Sequence, residues 1–322
     1  MGRVRHGRGW RWVLLSAVAA ALALWVLNAS RPGTRVRGCP SGCSAGAERA
    51  EGPVRVLSLN MLHGFPRFAQ LDDRLRLIAA EVTRTGADIV CLQEVPWSWR
   101  AGDGLERLAE LTGMNYLGLR ANGNRWAILF EEGVAILSRF PLTDPLGEEL
   151  KPSAGFFQHR VVLQATVATP SGDLDVFVTH LTHNNPEANR AQAAALRAMV
   201  GRTARNPAIV AGDLNARPDS LQIECMASTW VDSYRMANPG DAGFTCCVDD
   251  LTAKDGGGPA GQLTERIDYL FLAPGGGRGV KAGSAERVFD HPFSFDGGWL
   301  WASDHAGLLI EIDLDSARGN DS

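Results

Sequence analysis

Neither a low-complexity tract nor an internal repeat at solenoid spacing occurs in this 322-residue sequence. That excludes fibrous, disordered and repeat architectures. No Cys/His spacing resembles a zinc site. The body also lacks a surplus of basic charge. Residues 1–53 carry eight Arg and two Glu, so the remainder of a chain of net charge -4 holds 24 basic against 34 acidic residues. A strong nucleic-acid binder ordinarily shows a basic footprint, because Lys and Arg contacts to phosphate supply most non-specific affinity. The count argues against a dedicated DNA- or RNA-binding module, but not against a local basic groove. What remains is a chain long enough to bury one large core or two modest ones.

The N-terminus carries a topogenic signal. Arg3, Arg5, Arg8 and Arg11 precede an uncharged Ala/Leu/Val-rich run from Trp12 to Leu27, the anatomy of a cleaved signal peptide or an uncleaved anchor over residues 1–29. The run is slightly short of the roughly 20 apolar residues of a bilayer span, and Trp10 and Trp12 suit an interface. Arginines before the run keep that flank in the cytoplasm and place the body outside it, so the protein is expected to be exported, secreted or periplasmic. Residues 30–53 have linker composition, and export permits a local disulfide between Cys39 and Cys43 in CPSGC. Arg37 stands where a lipoprotein signal needs a small residue. The adjacent Cys246 and Cys247 and the lone Cys225 offer a second bridge whose connectivity is not fixed by sequence. Cys91, inside DIVCLQE, reads as a buried thiol.

From Val54 onward, short β-rich runs recur: VRVLSLN, DIVCLQ, AILF, GVAILS, VVLQATVA, LDVFVTH, AIVAGDLN, RIDYLFL and AGLLIEI. Several are apolar throughout, as in strands covered on both faces. Leu71, Leu75, Ile78, Ala79 and Val82 fall on one face of a helix over 71–85, and an Ala/Leu/Met stripe predicts a second over 187–205. The SGD turn inside VVLQATVATPSGDLDVFVTH predicts an antiparallel hairpin. A mixed two-sheet α/β domain over 54–315 follows, with a tail at 316–322.

Polar residues interrupt these runs at their carboxyl ends: Asn60, Glu94, His180, and Asp213 with Asn215. Ligand sites of α/β sheets form at such ends, where loops converge on a crevice. Each residue alone has an ordinary explanation as a turn former, a solvated strand end or a structural histidine. Asp304–His305, between an aromatic-rich loop and a final apolar strand, gains little from burial unless it is partnered. Simultaneous coincidence at eight places, Asp268 included, is a poor account. Several carboxylates, two amides and two imidazoles without nearby thiolates suit Mg²⁺ or Mn²⁺. Such an ion neutralises charge on a phosphoryl group while Asp or His takes a proton from attacking water.

The order of the motifs resembles the endonuclease/exonuclease/phosphatase superfamily from about Val54 to Asp313. SLNMLHG resembles its first-strand Asn motif, CLQEV its metal-binding Glu motif, THL its His motif and AGDLNARP its Asp-x-Asn motif; ERIDYLFL and SDHAG resemble the two closing motifs. The resemblance implies a four-layer α/β sandwich, two mixed, mostly antiparallel sheets face to face with helices outside. It implies that Glu94 holds the metal with Asn60 and Asp304 near it. Asp213 would orient or deprotonate the water, Asn215 would position the scissile phosphate and His180 would hydrogen-bond a phosphate oxygen. Asp268 would orient His305, the second candidate base, and Arg160 corresponds to a basic residue approaching phosphate. One metal or two, and Asp213 or His305 as base, stay open. His63 and His183 sit beside matched motifs as candidate substrate-lining residues, and strand alternation turns His159 or its neighbour Arg160 away from the site.

These motifs are shared by nucleases, inositol polyphosphate phosphatases and neutral sphingomyelinases, so the substrate is left to the loops. The export signal, the acidic body and the insert from Trp230 to Glu265, which resembles sphingomyelinase-like relatives, favour a phosphodiester of a lipid headgroup or small molecule. Trp97, Trp99, Trp299 and Trp301 are candidates for a membrane interface or for packing. A secreted nuclease cutting DNA or RNA is the rival enzyme, and a non-catalytic binding or toxin-like member the rival of another class. No protein partner is indicated.

Overall fold

The apolar runs assemble into two large sheets and a small hairpin. In chain order the strands are β1 (Arg37–Gly38), β2 (Val54–Asn60), β3 (Ile89–Ser98), β4 (Gly102–Asp103), β5 (Asn115–Asn124), β6 (Phe130–Ser138), β7 (Leu142–Leu150), β8 (Arg160–Thr169), β9 (Gly172–His180), β10 (Ala208–Asp213), β11 (Val231–Asp232), β12 (Asp268–Ala273), β13 (Val280–Val288), β14 (Phe293–Phe295), β15 (Gly298–Leu300) and β16 (Gly307–Leu314). The computed structural model describes residues 9–29, 31–39, 41–44, 52–252, 263–275 and 280–314. The tail expected at 316–322 and residues 253–262 of the insert lie outside them.

One sheet runs β1-β5-β6-β3-β2-β16-β13 with β4 attached to β3, and the other runs β11-β12-β10-β9-β8-β7. Among the described residues of the two sheets, only β2–β3 and β9–β10 pair in parallel. The predicted hairpin is β8–β9, in register from Val162↔Thr179 to Thr169↔Gly172.

Three apolar layers explain the stacking. Val56, Ile89 and Ile136 of the first sheet meet Leu163, Val178, Ile209 and Leu270 of the second in one buried cluster. The first sheet's other face packs on helices α2 (Leu71–Thr85) and α3 (Gly104–Thr112) through Leu75, Ile78, Val82, Leu105 and Leu108. Outside the second sheet, Leu196, Met199 and Val200 of α4 (Pro186–Thr203) and Ile223 and Met226 of α5 (Leu221–Ala227) pack against Phe177, Val210 and Phe271. Each fully buried aliphatic or aromatic side chain stabilises this by about 1.5–3 kcal/mol. The four-layer sandwich is therefore the fold.

Helix α2 begins with Asp72 and Asp73 in its first turn and stops at Gly86, whose positive φ of 63° lets its N–H return to Thr83 O. Asn185 caps α4 by accepting from Ala188 N, with Pro186 at the first helical position. The N-terminal helix α1 (Gly9–Ala29) is exposed over residues 9–26 and is long and apolar enough to cross a membrane.

The segment with linker composition meets the sheet. Arg37 and Gly38 pair with Gly118 and Leu117, Gly33 N donates to Arg120 O at 2.8 Å, and Leu142 N donates to Cys43 O at 2.9 Å. Arg37 pairs with the Asp103 carboxylate, and Cys39 is bonded to Cys43. The strand covers the open edge of β5, which otherwise presents unpaired main-chain groups. Main-chain pairing of this kind leaves no mark in side-chain composition.

Candidate active site

The second sheet aligns three of the singled-out residues by register. Asp213, at the end of β10, lies beside His180 across the parallel pair and opposite Asp268 across the antiparallel one. Asp268 begins its strand rather than ending it, but β12 runs the other way, so its side chain arrives at the same sheet edge. Asn60 reaches that edge from the first sheet: its Nδ2 donates to Asp213 Oδ2 at 3.0 Å and to Glu94 Oε1 at 3.2 Å. One amide thus ties the two sheets together over the site.

Glu94 is placed differently from its sequence reading. Strand β3 does not end there but continues to Ser98, and the β3–β6 register breaks between Leu92 and Val95. Glu94 sits in this bulge with φ 55°, a left-handed conformation that costs a non-glycine residue about 1–3 kcal/mol. The bulge re-aims the carboxylate. Its Oε2 accepts from His63 N at 3.1 Å and lies 3.5 Å from His63 Nε2. Burial pushes this carboxyl up, but His63 and the bonds from His63 N and Asn60 outweigh it and hold the group below its ordinary value.

His305 Nδ1 lies 2.9 Å from Asp268 Oδ2, and its Nε2 lies 3.9 Å from Asp213 Oδ2. Burial alone lowers an imidazole, yet the Asp268 carboxylate, with Asp213 and Asp304 behind it, raises His305 to about 10. Asp213 is raised by burial first and by Asp268 second. His180 Nε2 lies 3.0 Å from Asn215 Nδ2 and 3.4 Å from Asp213 Oδ2. Its pKa is driven far down by burial, with the charge of Arg160 the next cause, so the ring is neutral. Two imidazoles at one site are thus shifted in opposite directions, His180 towards the neutral and His305 towards the cationic form. One suits a neutral hydrogen-bonding role and the other a cationic one.

Asn215 has φ 47° and donates Nδ2 to Leu181 O, while its Oδ1 lies 3.0 Å from His183 Nδ1. His183 therefore fixes Asn215. His159 turns to Glu149 Oε1 at 2.6 Å, while Arg160 lies within the electrostatic reach of His180 and Glu132, its Nε buried with no protein partner. Asp304 is raised by burial, with Glu94 adding to the rise.

Four contributors escaped sequence reasoning. Glu132, hydrogen-bonded to Asn122, is a buried carboxyl facing Arg160 and His63. Arg74, fully buried in α2, donates to Met61 O, Leu62 O, Ala69 O and Ala302 O. Thr245 Oγ1 accepts from the main-chain N–H of both Ile267 and Asp268. Cys246 lies against His305, Sγ to Nε2 3.6 Å. Only Thr245 and Cys246 carried any signal, through the adjacent Cys246–Cys247.

The donor chemistry fits a hard cation. Glu94 and Asp304 bring oxygen donors and mutual repulsion, and Arg74, within electrostatic reach of both, has its donors committed to main-chain carbonyls. Glu94 and Asp304, with Asn60 beside them, would hold a divalent ion, which would relieve that repulsion and supply Lewis-acid polarisation of a phosphoryl oxygen.

The model of the Endonuclease/Exonuclease/phosphatase family matches residues 57–305, which span all of these side chains. The chain belongs to that family. Members of the endonuclease/exonuclease/phosphatase family hydrolyse phosphoester bonds with divalent metals. The fold is similar to a family protein from Leptotrichia buccalis C-1013-b, at TM-score 0.60 and 19% identity over 81% of this chain and 99% of that one. It is similar to D. rerio TDP2 complexed with a single-strand DNA product, at TM-score 0.63 and 16% identity over 82% and 100%. The mannosyl-6-phosphatase of Bacteroides thetaiotaomicron VPI-5482 aligns at TM-score 0.58 and 20% identity over 81% and 99%. No curated protein matches the chain in sequence.

Proposed function

We propose that this chain is a divalent-metal-dependent phosphodiesterase that drives water onto the phosphorus of a lipid-headgroup or small-molecule phosphodiester. The observation that carries the hydrolase reading is the meeting of Asn60, Glu94, His180, Asp213, Asn215, Asp268, Asp304 and His305 at one edge of the facing sheets. Glu94 and Asp304, with Asn60, hold Mg²⁺, for which Mn²⁺ substitutes. Asp213, poised between His180 and His305, accepts the proton of the attacking water. Asn215, neutral His180 and Arg160 bind phosphate oxygens, and His305, kept cationic by Asp268, stabilises the charge that develops.

An apolar rim favours a substrate with an apolar part. Phe65 stacks on Phe130 at 4.3 Å, His63 packs edge-on against Phe130, and Trp99 N bonds Leu129 O, so Phe65, Trp99 and Leu129 stand exposed beside the loop that carries His63. Of the tryptophans weighed for a membrane interface, Trp99 and Trp299 are exposed, Trp301 is fully buried and Trp97 lies under Arg125. With the apolar Gly9–Ala29 helix, this supports an anchored or exported enzyme working at a membrane surface.

The test is the full chain in detergent with Mg²⁺, assayed on sphingomyelin, phosphatidylcholine, bis-p-nitrophenyl phosphate, inositol phosphates, plasmid DNA and single-stranded RNA. Turnover of the lipid diesters, abolished by EDTA, is expected. Cleavage of DNA or RNA alone would replace the reading with a nuclease, and turnover undiminished by EDTA would end the metal mechanism.

A further inference from the structure

Among the described residues, the one cluster of soft donors at the site is not used by this chemistry. Residues Thr245 to Val248 are laid between the loops that precede β12 and β16: Cys246 N donates to Glu265 O at 2.9 Å, Ala306 N to Thr245 O at 2.7 Å and Val248 N to Asp304 O at 2.8 Å. Cys246 is thereby fixed beside His305. Its Sγ is buried 3.6 Å from His305 Nε2, and the donor atoms of Cys246, Cys247 and His305 lie within 4.8 Å of one another. Cys246 and Cys247 are joined as a disulfide, and Cys247 is exposed.

We propose that Cys246, Cys247 and His305 form a second metal site, specific for a thiophilic cation of the Zn²⁺ class and created when the Cys246–Cys247 disulfide is opened by a dithiol reductant. Access dictates the order of events. A reductant thiolate attacks the exposed Cys247 Sγ, the protein S–S bond breaks, and its electron pair leaves on Cys246 Sγ beside the imidazole. The reductant's second thiolate then attacks the mixed disulfide, closing the reagent's own disulfide and releasing Cys247. Two protein thiols replace one disulfide, and the dithiol is oxidised by two electrons. The two thiols and the His305 imidazolium, at Nε2, release three protons to solvent as the cation binds between both sulfurs and His305 Nε2, with the fourth tetrahedral position open to water. Thiolates select this class of ion over Mg²⁺, which keeps to oxygen donors. The cation also takes His305 Nε2 out of the reaction. That inhibitory consequence rests on the function proposed above, whereas binding does not.

The test uses the full chain in detergent, with Cys225→Ser to remove the exposed thiol on α5. Oxidised and dithiol-reduced, desalted protein are titrated anaerobically with Co²⁺, and thiolate-to-cobalt charge-transfer absorption is read. One equivalent of Co²⁺ should give the band only in reduced protein, Zn²⁺ should displace it, and both Cys246→Ser and Cys247→Ser should abolish it. These variants also separate the site from Cys39 and Cys43, opened by the same reductant. With Mg²⁺ saturating, Zn²⁺ should inhibit turnover at a concentration at least tenfold lower after reduction. No band in reduced protein, or a band retained in both single variants, overturns the site. A band with no turnover of any phosphoester supports the site and overturns the functional reading alone.

Discussion

Asp268 holds His305 through a 2.9 Å contact to Nδ1 while leaving Nε2 turned towards Asp213. The carboxylate fixes both the orientation and the charge of the ring, and the Asp268 main chain is held by Thr245, whose hydroxyl accepts from Asp268 N. Asp268→Asn keeps the shape and removes the charge. Turnover should fall by between about 10²- and 10⁴-fold, the range of a lost acid–base or charge-stabilising group, with an unchanged circular-dichroism spectrum. Activity within threefold of the parent would separate His305 from catalysis.

The same contact sets a pH dependence of stability in EDTA-treated protein. His305 is raised from its ordinary 6.5 to about 10 in the fold, so the folded state holds its proton more tightly than the unfolded chain. This stabilisation is fully present below pH 6.5 and is lost as pH rises towards 10. Urea midpoints should decline across that window, and Asp268→Asn should flatten the decline. An equal slope in parent and variant would contradict the pairing.

Much of the fold was written in local pattern. The helical stripe of Leu71, Leu75, Ile78, Ala79 and Val82 and the turn between Thr169 and Gly172 are short-range signals, and both elements form where the pattern places them. Asn60, His180 and Asp213 were legible because polar residues ended apolar runs. Glu94 was legible as a residue but not as a conformation, because a bulge depends on the partner strand β6. Arg74 looked like one polar position of an amphipathic helix. Its burial arises from carbonyls 5 to 228 residues away, which no periodicity encodes. Glu132 gave no signal because its partners Asn122 and Arg160 lie on other strands, whereas Trp301 takes the packing alternative.

Glu94→Gln tests the metal assignment. The amide preserves volume and removes the carboxylate that Asn60 and the His63 N–H orient. The Mg²⁺ concentration for half-maximal activity should rise at least as much as on loss of an outer-shell partner, about 10–100-fold. A curve superimposable on that of the parent would move the metal elsewhere.

Arg160→Ala asks whether the guanidinium meets phosphate. Its Nε is buried with no protein partner, and its charge is felt by His180 and Glu132. A charge-assisted hydrogen bond is worth about 1.5–3 kcal/mol, so kcat/KM should fall roughly 10- to 100-fold, with partial recovery in Arg160→Lys. A loss confined to the urea midpoint, with kcat/KM intact, would make Arg160 a structural residue paired with Glu132.

Arg74→Met separates scaffold from chemistry. The guanidinium touches no reacting group, but it binds Met61 O and Leu62 O after Asn60, and Ala302 O just before Ser303 and Asp304. Burial lowers its pKa to about 10 while Asp304 and Glu94 oppose the fall, so it also offsets the two carboxylates before a metal arrives. Methionine fills the apolar part of the space but leaves several carbonyls unpaired, at a cost of about 3 kcal/mol or more. The urea midpoint should drop accordingly. Because the Asn60 and Asp304 loops lose their common tie, the Mg²⁺ requirement should rise as well, and Arg74→Lys should restore stability better than metal affinity, since one ammonium cannot span all the carbonyls. A destabilised variant with an unaltered Mg²⁺ curve would show that the loops hold their geometry without Arg74.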